Sequence, residues 1–172
     1  MSSDPPSEEA DWFGVGRTFE THSDEETREV GRRLGAVLPQ HAVVALVGDL
    51  GAGKTTLSQG IVEGRKAARA EEVSSPTFTL IHEYGEPVSV YHIDLYRLAT
   101  AEEARRRGLE DIFDQDALVL LEWGDRFPEL LPPDTIYIYL SSRDDETRMI
   151  VVKSCAASRE AAECSETRSK KG

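Results

Sequence analysis

The apolar run Ala42-Val43-Val44-Ala45-Leu46-Val47 ends directly on Gly48-Asp49-Leu50-Gly51-Ala52-Gly53-Lys54-Thr55-Thr56. Six apolar residues rich in valine predict a strand buried on both faces, as in the interior of a parallel sheet. The string that follows fits G-x-x-x-x-G-K-[ST], the phosphate-binding P-loop. Its glycines let backbone N–H groups curl around an anion, where a Cβ would obstruct. Lys54 reaches the β- and γ-phosphates of a nucleoside triphosphate as a mobile charge, and Thr55 offers a hydroxyl to Mg²⁺. A helix expected from near Gly53 to about Ala68 points its positive end at the phosphates. Asp49, Leu50, Gly51, Ala52, Gly53, Lys54, Thr55 and Thr56 are therefore expected to bind nucleotide.

The surrounding pattern agrees with this start. Phe13–Glu20 reads as a short edge strand. Ser23 with Glu26 forms a capping box, and Val30, Leu34, Val37 and Leu38 follow at helical spacing up to Pro39. Phe78–Gly85 and Val88–Asp94 flank Glu86-Pro87 as an antiparallel hairpin. Thr100 with Glu103 opens a short helix that stops at Gly108, and another helical turn covers Leu109–Phe113. Ala117–Leu121 is a second fully apolar strand. Thr135–Leu140 alternates, and Arg148–Lys153 pairs with it across Ser141–Thr147. Strands separated by helices, with added hairpins, predict an α/β fold: a mixed β-sheet of P-loop NTPase type, flanked by helices on both faces. Residues 12–153 are expected to form one domain, between a disordered start at 1–11 and a flexible tail at 154–172.

A phosphate site of this kind needs acidic groups to complete the Mg²⁺ shell and position the attacking group. Leu118-Val119-Leu120-Leu121-Glu122 is an apolar strand ending in a carboxylate, the layout of a Walker B element, which would set Glu122 near the metal. Asp94 ends Val90–Asp94 on the same face as His92; it either binds Mg²⁺ through water or orients the γ-phosphate. Ser75, Pro76 and Thr77 lie between the P-loop helix and the next strand, where many NTPases keep a switch segment that senses the γ-phosphate.

Charge narrows the partners. The 172 residues carry a net charge of −12. Gripping a phosphate backbone depends on clustered Lys and Arg, so any nucleic acid this chain works on is expected to be held by a partner. No run approaches the ~20 apolar residues of a membrane helix, and the start lacks a basic and an apolar stretch. The expected address is the cytoplasm. Cys155 and Cys164 make neither a metal pattern nor a disulfide framework.

Together these segments resemble the TsaE (YjeE) family, ATPases of bacterial tRNA threonylcarbamoyladenosine synthesis. Gly48–Thr56, Ser75-Pro76-Thr77-Phe78-Thr79-Leu80, Tyr91-His92-Ile93-Asp94-Leu95-Tyr96-Arg97-Leu98 and Leu121-Glu122-Trp123 each resemble a family signature, in family order and spacing. The resemblance covers about Phe19 to Val152. It implies a compact ATPase with weak activity alone, with ATP as substrate and Mg²⁺ as cofactor. It implies Thr55 and Glu122 as Mg²⁺ ligands, Asp94 as important to catalysis, and Trp123 beside them. It also implies nucleotide contacts from Ser23, Asp24 and Thr27 at the first helix, and from Arg148. The family's partners are TsaD and TsaB, which hold the transferase site for the adenosine next to the anticodon; the ATPase resets that machine.

Lys54 with the loop amides is expected to neutralise developing charge, while Asp94 or Glu122 orients the water. The alternative is a small-molecule or nucleoside kinase, which usually carries an Arg-rich lid; Arg105-Arg106-Arg107 is the one dense Arg cluster. An Asn-Lys-x-Asp guanine-reading string is absent, which favours ATP over GTP.

Overall fold

A computed structural model describes residues 17–144 and 146–154. The segments 1–16 and 155–172, both cysteines and the first residues of the strand expected at Phe13–Glu20 included, lie outside the described residues.

One seven-stranded sheet organises the chain: β1 (Arg17–Thr21), β2 (Ala42–Val47), β3 (Ile81–Tyr84), β4 (Val90–Asp94), β5 (Leu118–Glu122), β6 (Ile136–Ser142) and β7 (Arg148–Ser154). Their spatial order is β1-β7-β6-β2-β5-β4-β3. The four central strands, β6, β2, β5 and β4, are mutually parallel. The two edges are antiparallel: β3 on β4, and β7 with β1 beyond β6. β5 is buried along its whole length between β2 and β4, which explains why its sequence shows no polar alternation.

Helices α1 (Asp24–Val37) and α2 (Lys54–Gly64) cover one face; α3 (Ala101–Arg106) and α4 (Leu109–Phe113) cover the other. Leu34, Leu57, Ile61, Val44, Leu120 and Ile138 form the first core layer. Ile93, Leu95, Leu109, Phe113, Val119 and Leu121 form the second. This is the α/β sandwich expected from the alternation of strands and helices.

The α1–α2 crossing depends on glycine. A Cβ on Gly31 would lie 2.5 Å from the Leu57 carbonyl, and one on Gly35, Gly60 or Gly64 would overlap the carbonyl of Ile61, Arg28 or Arg32. The two backbones approach as closely as residues without side chains allow. That contact fixes α2, and with it the loop that precedes α2.

Several boundaries differ from the sequence reading. The helix expected to reach Ala68 stops at Gly64, because Lys66 turns left-handed at φ 58°. The Arg65 guanidinium pins this turn by donating to the carbonyls of Leu38, Pro39 and Gln40. Of Phe78–Gly85 only Ile81–Tyr84 pairs as a strand. Thr77–Leu80 is instead a turn, closed by Leu80 N donating to Pro76 O at 2.8 Å, with Leu80 at φ 71°. Both capping boxes are displaced by one residue. The Ser23 and Thr100 hydroxyls accept from Glu26 N and Glu103 N as expected. The Glu26 and Glu103 carboxylates, however, accept from His22 N and Ala99 N, one residue before each cap.

Candidate active site

The parallel register brings the chemistry to one end of the sheet. Asp94 on β4 is the partner of Glu122 on β5, and Glu122 is also the partner of Leu46 on β2, two residues before the Gly-rich loop. Strand ends therefore deliver two carboxylates beside the loop. A cavity of about 280 Å³ opens there, lined by Lys54, Thr55, Ser75, Asp94, Glu122 and Arg148, among others. It lies where α/β sheets bind ligands, outside the carboxyl ends of the strands. A larger cavity of about 620 Å³ sits at the opposite end, against Gln40, Ser89 and Ala117, which precede β2, β4 and β5. Its main cation, Arg65, already serves three carbonyls, so the smaller cavity carries the reactive groups.

Gly51 and Gly53 adopt φ 78° and 105°, values L side chains rarely take. Gly53 also leaves room for the Arg148 guanidinium, whose Nη1 would be 3.0 Å from a Cβ added there. Ala52 N donates to Asp49 O and tightens the loop. Ala52 itself is buried, whereas Leu50 is 77% exposed at the rim. Thr56 lines the cavity beside Thr55.

The Lys54 ammonium donates to Gly48 O and Asp49 O, and lies 4.2 Å from the Trp123 ring centroid. Burial pushes its pKa down, while the charges of Glu122, Asp94, Asp49 and Asp125 oppose that push. Trp123 is held at φ 60° and packs on Tyr96, ring centroids 5.0 Å apart.

The acidic groups form one connected network. Thr55 Oγ1 donates to Glu122 Oε1 at 3.0 Å. Ser75 Oγ lies 3.2 Å from both Glu122 Oε2 and Asp94 Oδ2, and Thr77 Oγ1 donates to Asp94 Oδ2 at 3.0 Å. Tyr96 N donates to Asp94 Oδ1. His92 Nε2 reaches Glu122 Oε2 at 2.9 Å from beneath the site. Burial alone would push the Glu122 carboxyl up. The His92 hydrogen bond and charge, with the Thr55 and Ser75 hydroxyls, outweigh that and hold it below its ordinary value. Pro76 is buried at the turn between Ser75 and Thr77.

This donor set fits a hard cation. Two carboxylates and three hydroxyls converge, all of them oxygen donors, and Mg²⁺ takes one or two carboxylates plus substrate phosphates. Among the described residues no three His, Cys, Asp or Glu side chains form a closed metal cage.

The first helix is brought up to the same end. Arg148 Nη1 forms an ion pair with Asp24 Oδ1 at 2.7 Å, a contact not aligned as a hydrogen bond. A third cavity, lined by His22, Ser23, Asp24, Glu146 and Arg148, adjoins the one beside Lys54 through Arg148. Thr27 stands apart: it is fully buried, bonded to Thr21 Oγ1 and Ser23 O, and lines neither cavity. Arg105, Arg106 and Arg107 ion-pair with Glu110, Glu102 and Glu103 on the α3 surface and do not line the cavity beside Lys54. Arg97 stacks on the exposed Phe78 ring at 4.1 Å.

Sequence reasoning missed two contributors. Tyr96, within the quoted Tyr91–Leu98 segment, lines the cavity and seats Trp123. His92 was read only beside Asp94. Its bond to Glu122 crosses between strands, and strand register is not written in either segment alone.

A four-stranded parallel core with a Gly-rich loop leading into α2 and two carboxylates at the strand ends is an α/β fold of P-loop type. The sequence pattern of the family described as threonylcarbamoyl adenosine biosynthesis protein TsaE matches residues 21–150, and the chain belongs to that family. It is 37% identical to the tRNA threonylcarbamoyladenosine biosynthesis protein TsaE of Bacillus subtilis, over 77% of this chain and 82% of that one. The protein of the same name from Haemophilus influenzae is 42% identical over 60% of this chain and 65% of its own length. The crystal structure of Bacillus subtilis YdiB superimposes with a TM-score of 0.64 at 30% identity, covering 91% of this chain and 97% of that one.

Proposed function

We propose that this chain is a Mg²⁺-dependent ATPase that supports threonylcarbamoyladenosine formation on the tRNA adenosine next to the anticodon, acting with TsaD and TsaB. The observation that carries this reading is the meeting of Lys54, Thr55, Asp94 and Glu122 in one cavity below the Gly-rich loop. Relatives named for tRNA threonylcarbamoyladenosine biosynthesis support the pathway.

Thr55 and Glu122 would hold Mg²⁺, which when bound neutralises phosphate charge. Lys54 exchanges its carbonyl partners, Gly48 O and Asp49 O, for phosphate oxygens. Loop amides and the N-terminus of α2 add fixed positive potential. Asp94, held by Thr77, Ser75 and Tyr96 N, orients the attacking water. Ser75 and Thr77 touch both the carboxylates and the cavity, so they act as the switch that reports the γ-phosphate. Ser23 and Asp24, beside Arg148, receive the nucleoside. Arg148 is the single arginine lining the phosphate cavity among the described residues, and Asp24 engages it. A partner therefore completes the site, and the chain alone is expected to turn over slowly. The acidic chain leaves the tRNA to TsaD and TsaB. No described helix is long and apolar enough to cross a membrane, and the site of action is the cytoplasm.

Nucleotide binding and phosphate release together test this reading. Lys54→Ala should lose ATP affinity at least about tenfold, because a buried mobile charge is removed. Glu122→Gln should retain ATP affinity within a few-fold but lose about a hundredfold or more in turnover with partners present. Equal turnover by Glu122→Gln and wild type would reject the assignment. Phosphate transferred to an added acceptor, in place of free phosphate, would mark a kinase.

A further inference from the structure

We propose that His92 is the positioning residue for Glu122: it holds the carboxylate from behind, so that Oε1 faces the cation site before nucleotide arrives. The inference rests on the Mg²⁺–ATP reading above and names a part of that site outside the ligand set.

The two oxygens of Glu122 have different partners. Oε1 accepts from Thr55, whereas Oε2 accepts from His92 and neighbours Ser75. Thr55 and Ser75 line the cavity, so both hydroxyls are free to trade Glu122 for a cation or a phosphate. His92 does not line it and is fully buried. Its bond to Oε2 therefore survives ligand entry, and it alone among these donors keeps the same partner throughout.

The geometry also fixes which nitrogen donates. An ionised carboxylate only accepts, so Nε2 carries a proton. Nδ1 is buried and has no hydrogen-bond partner among the described residues. The ring gives its one useful hydrogen to Glu122 and is anchored by packing, on a central strand next to β5. A buried hydrogen bond to a metal-binding carboxylate orients the ligand, and its loss typically lowers metal affinity by ten- to a hundredfold.

The test compares three variants: His92→Gln, His92→Asn and His92→Leu. Glutamine carries its amide nitrogen at about the reach of Nε2; asparagine stops at about the reach of Nδ1. For each protein, calorimetry measures the affinity for a non-hydrolysable ATP analogue, with saturating Mg²⁺ and with EDTA. The ratio of the two affinities reads the metal site separately from turnover and from the loop. Wild type and His92→Gln should show the same Mg²⁺-dependent gain. In His92→Asn and His92→Leu the gain should shrink at least tenfold, with the EDTA affinity within about twofold of wild type. Should His92→Leu fail to fold, the glutamine–asparagine pair decides alone. An undiminished gain in His92→Asn overturns the proposal. So does a parallel loss of affinity with and without Mg²⁺, which would make His92 a packing residue only. If wild type itself shows no Mg²⁺-dependent gain, the cation site fails together with this inference.

Discussion

Asp94 and Glu122 face each other across neighbouring parallel strands, and Ser75 Oγ stands 3.2 Å from a carboxylate oxygen of each. A hydroxyl has one proton, so Ser75 serves the two carboxylates in turn or shares the proton between them. The strand pair sets the spacing of the charges; the turn carrying Ser75 ties the two carboxylates together.

Removing that hydroxyl should be felt in the fold. Hydrogen bonds to buried charged groups contribute about 1.5–3 kcal/mol. Ser75 is half-buried, so Ser75→Ala is expected near the lower end, about 1.5 kcal/mol, as a lower urea midpoint with an unchanged slope. Mg²⁺ in excess with nucleotide should recover part of the loss, because a cation replaces the missing donor. An unchanged midpoint would remove Ser75 from the carboxylate network.

The Glu122 carboxyl sits below its ordinary value of 4.5. A carboxylate whose folded pKa is depressed adds stability above its unfolded pKa and loses it as the pH falls through the folded one. Wild type should therefore lose stability on acidification below about pH 4.5 by an amount missing in Glu122→Gln. Denaturant midpoints of the two proteins from pH 7 to 3 give this difference. Parallel curves would show that Glu122 keeps its unfolded pKa.

The α1–α2 crossing supplies a prediction remote from the chemistry. The Cβ of Gly35→Ala would run into the Ile61 carbonyl, and backbone cannot yield as a side-chain tip does. Overpacking of this kind costs about 1–3 kcal/mol. The variant should unfold at lower urea, and with α2 displaced its nucleotide affinity should fall as well. Full stability in Gly35→Ala would mean that the two helices have room to separate.

Much of this was legible in the sequence for identifiable reasons. The Gly-rich loop sets Gly48, Gly53, Lys54 and Thr55 at fixed spacing, and Gly51 and Gly53 take the left-handed backbone such a loop needs. Ala42–Val47 and Leu118–Glu122 are apolar throughout because both faces are buried. What escaped depends on relations between distant segments. The end of α2 carries only Gly64 as a local signal; Lys66 takes the left-handed turn while Arg65 ties it to Leu38, Pro39 and Gln40. Thr77–Leu80 has the composition of a strand but serves as a turn, drawn in by Asp94. The His92–Glu122 bond needs the parallel pairing of β4 with β5. Gly31, Gly35, Gly60 and Gly64 recur at four-residue spacing, a visible signal whose meaning waits on the knowledge that α1 and α2 touch.

In the proposed function, ATP handled at Lys54 and Glu122 drives repeated rounds of tRNA modification by the partner proteins. The most direct measurement counts threonylcarbamoyladenosine formed per TsaD–TsaB complex from the same source, with this chain, without it, and with Lys54→Ala in its place. Many rounds with wild type, and about one or fewer without it or with Lys54→Ala, is the predicted result. Equal numbers of rounds in all three reactions would contradict it.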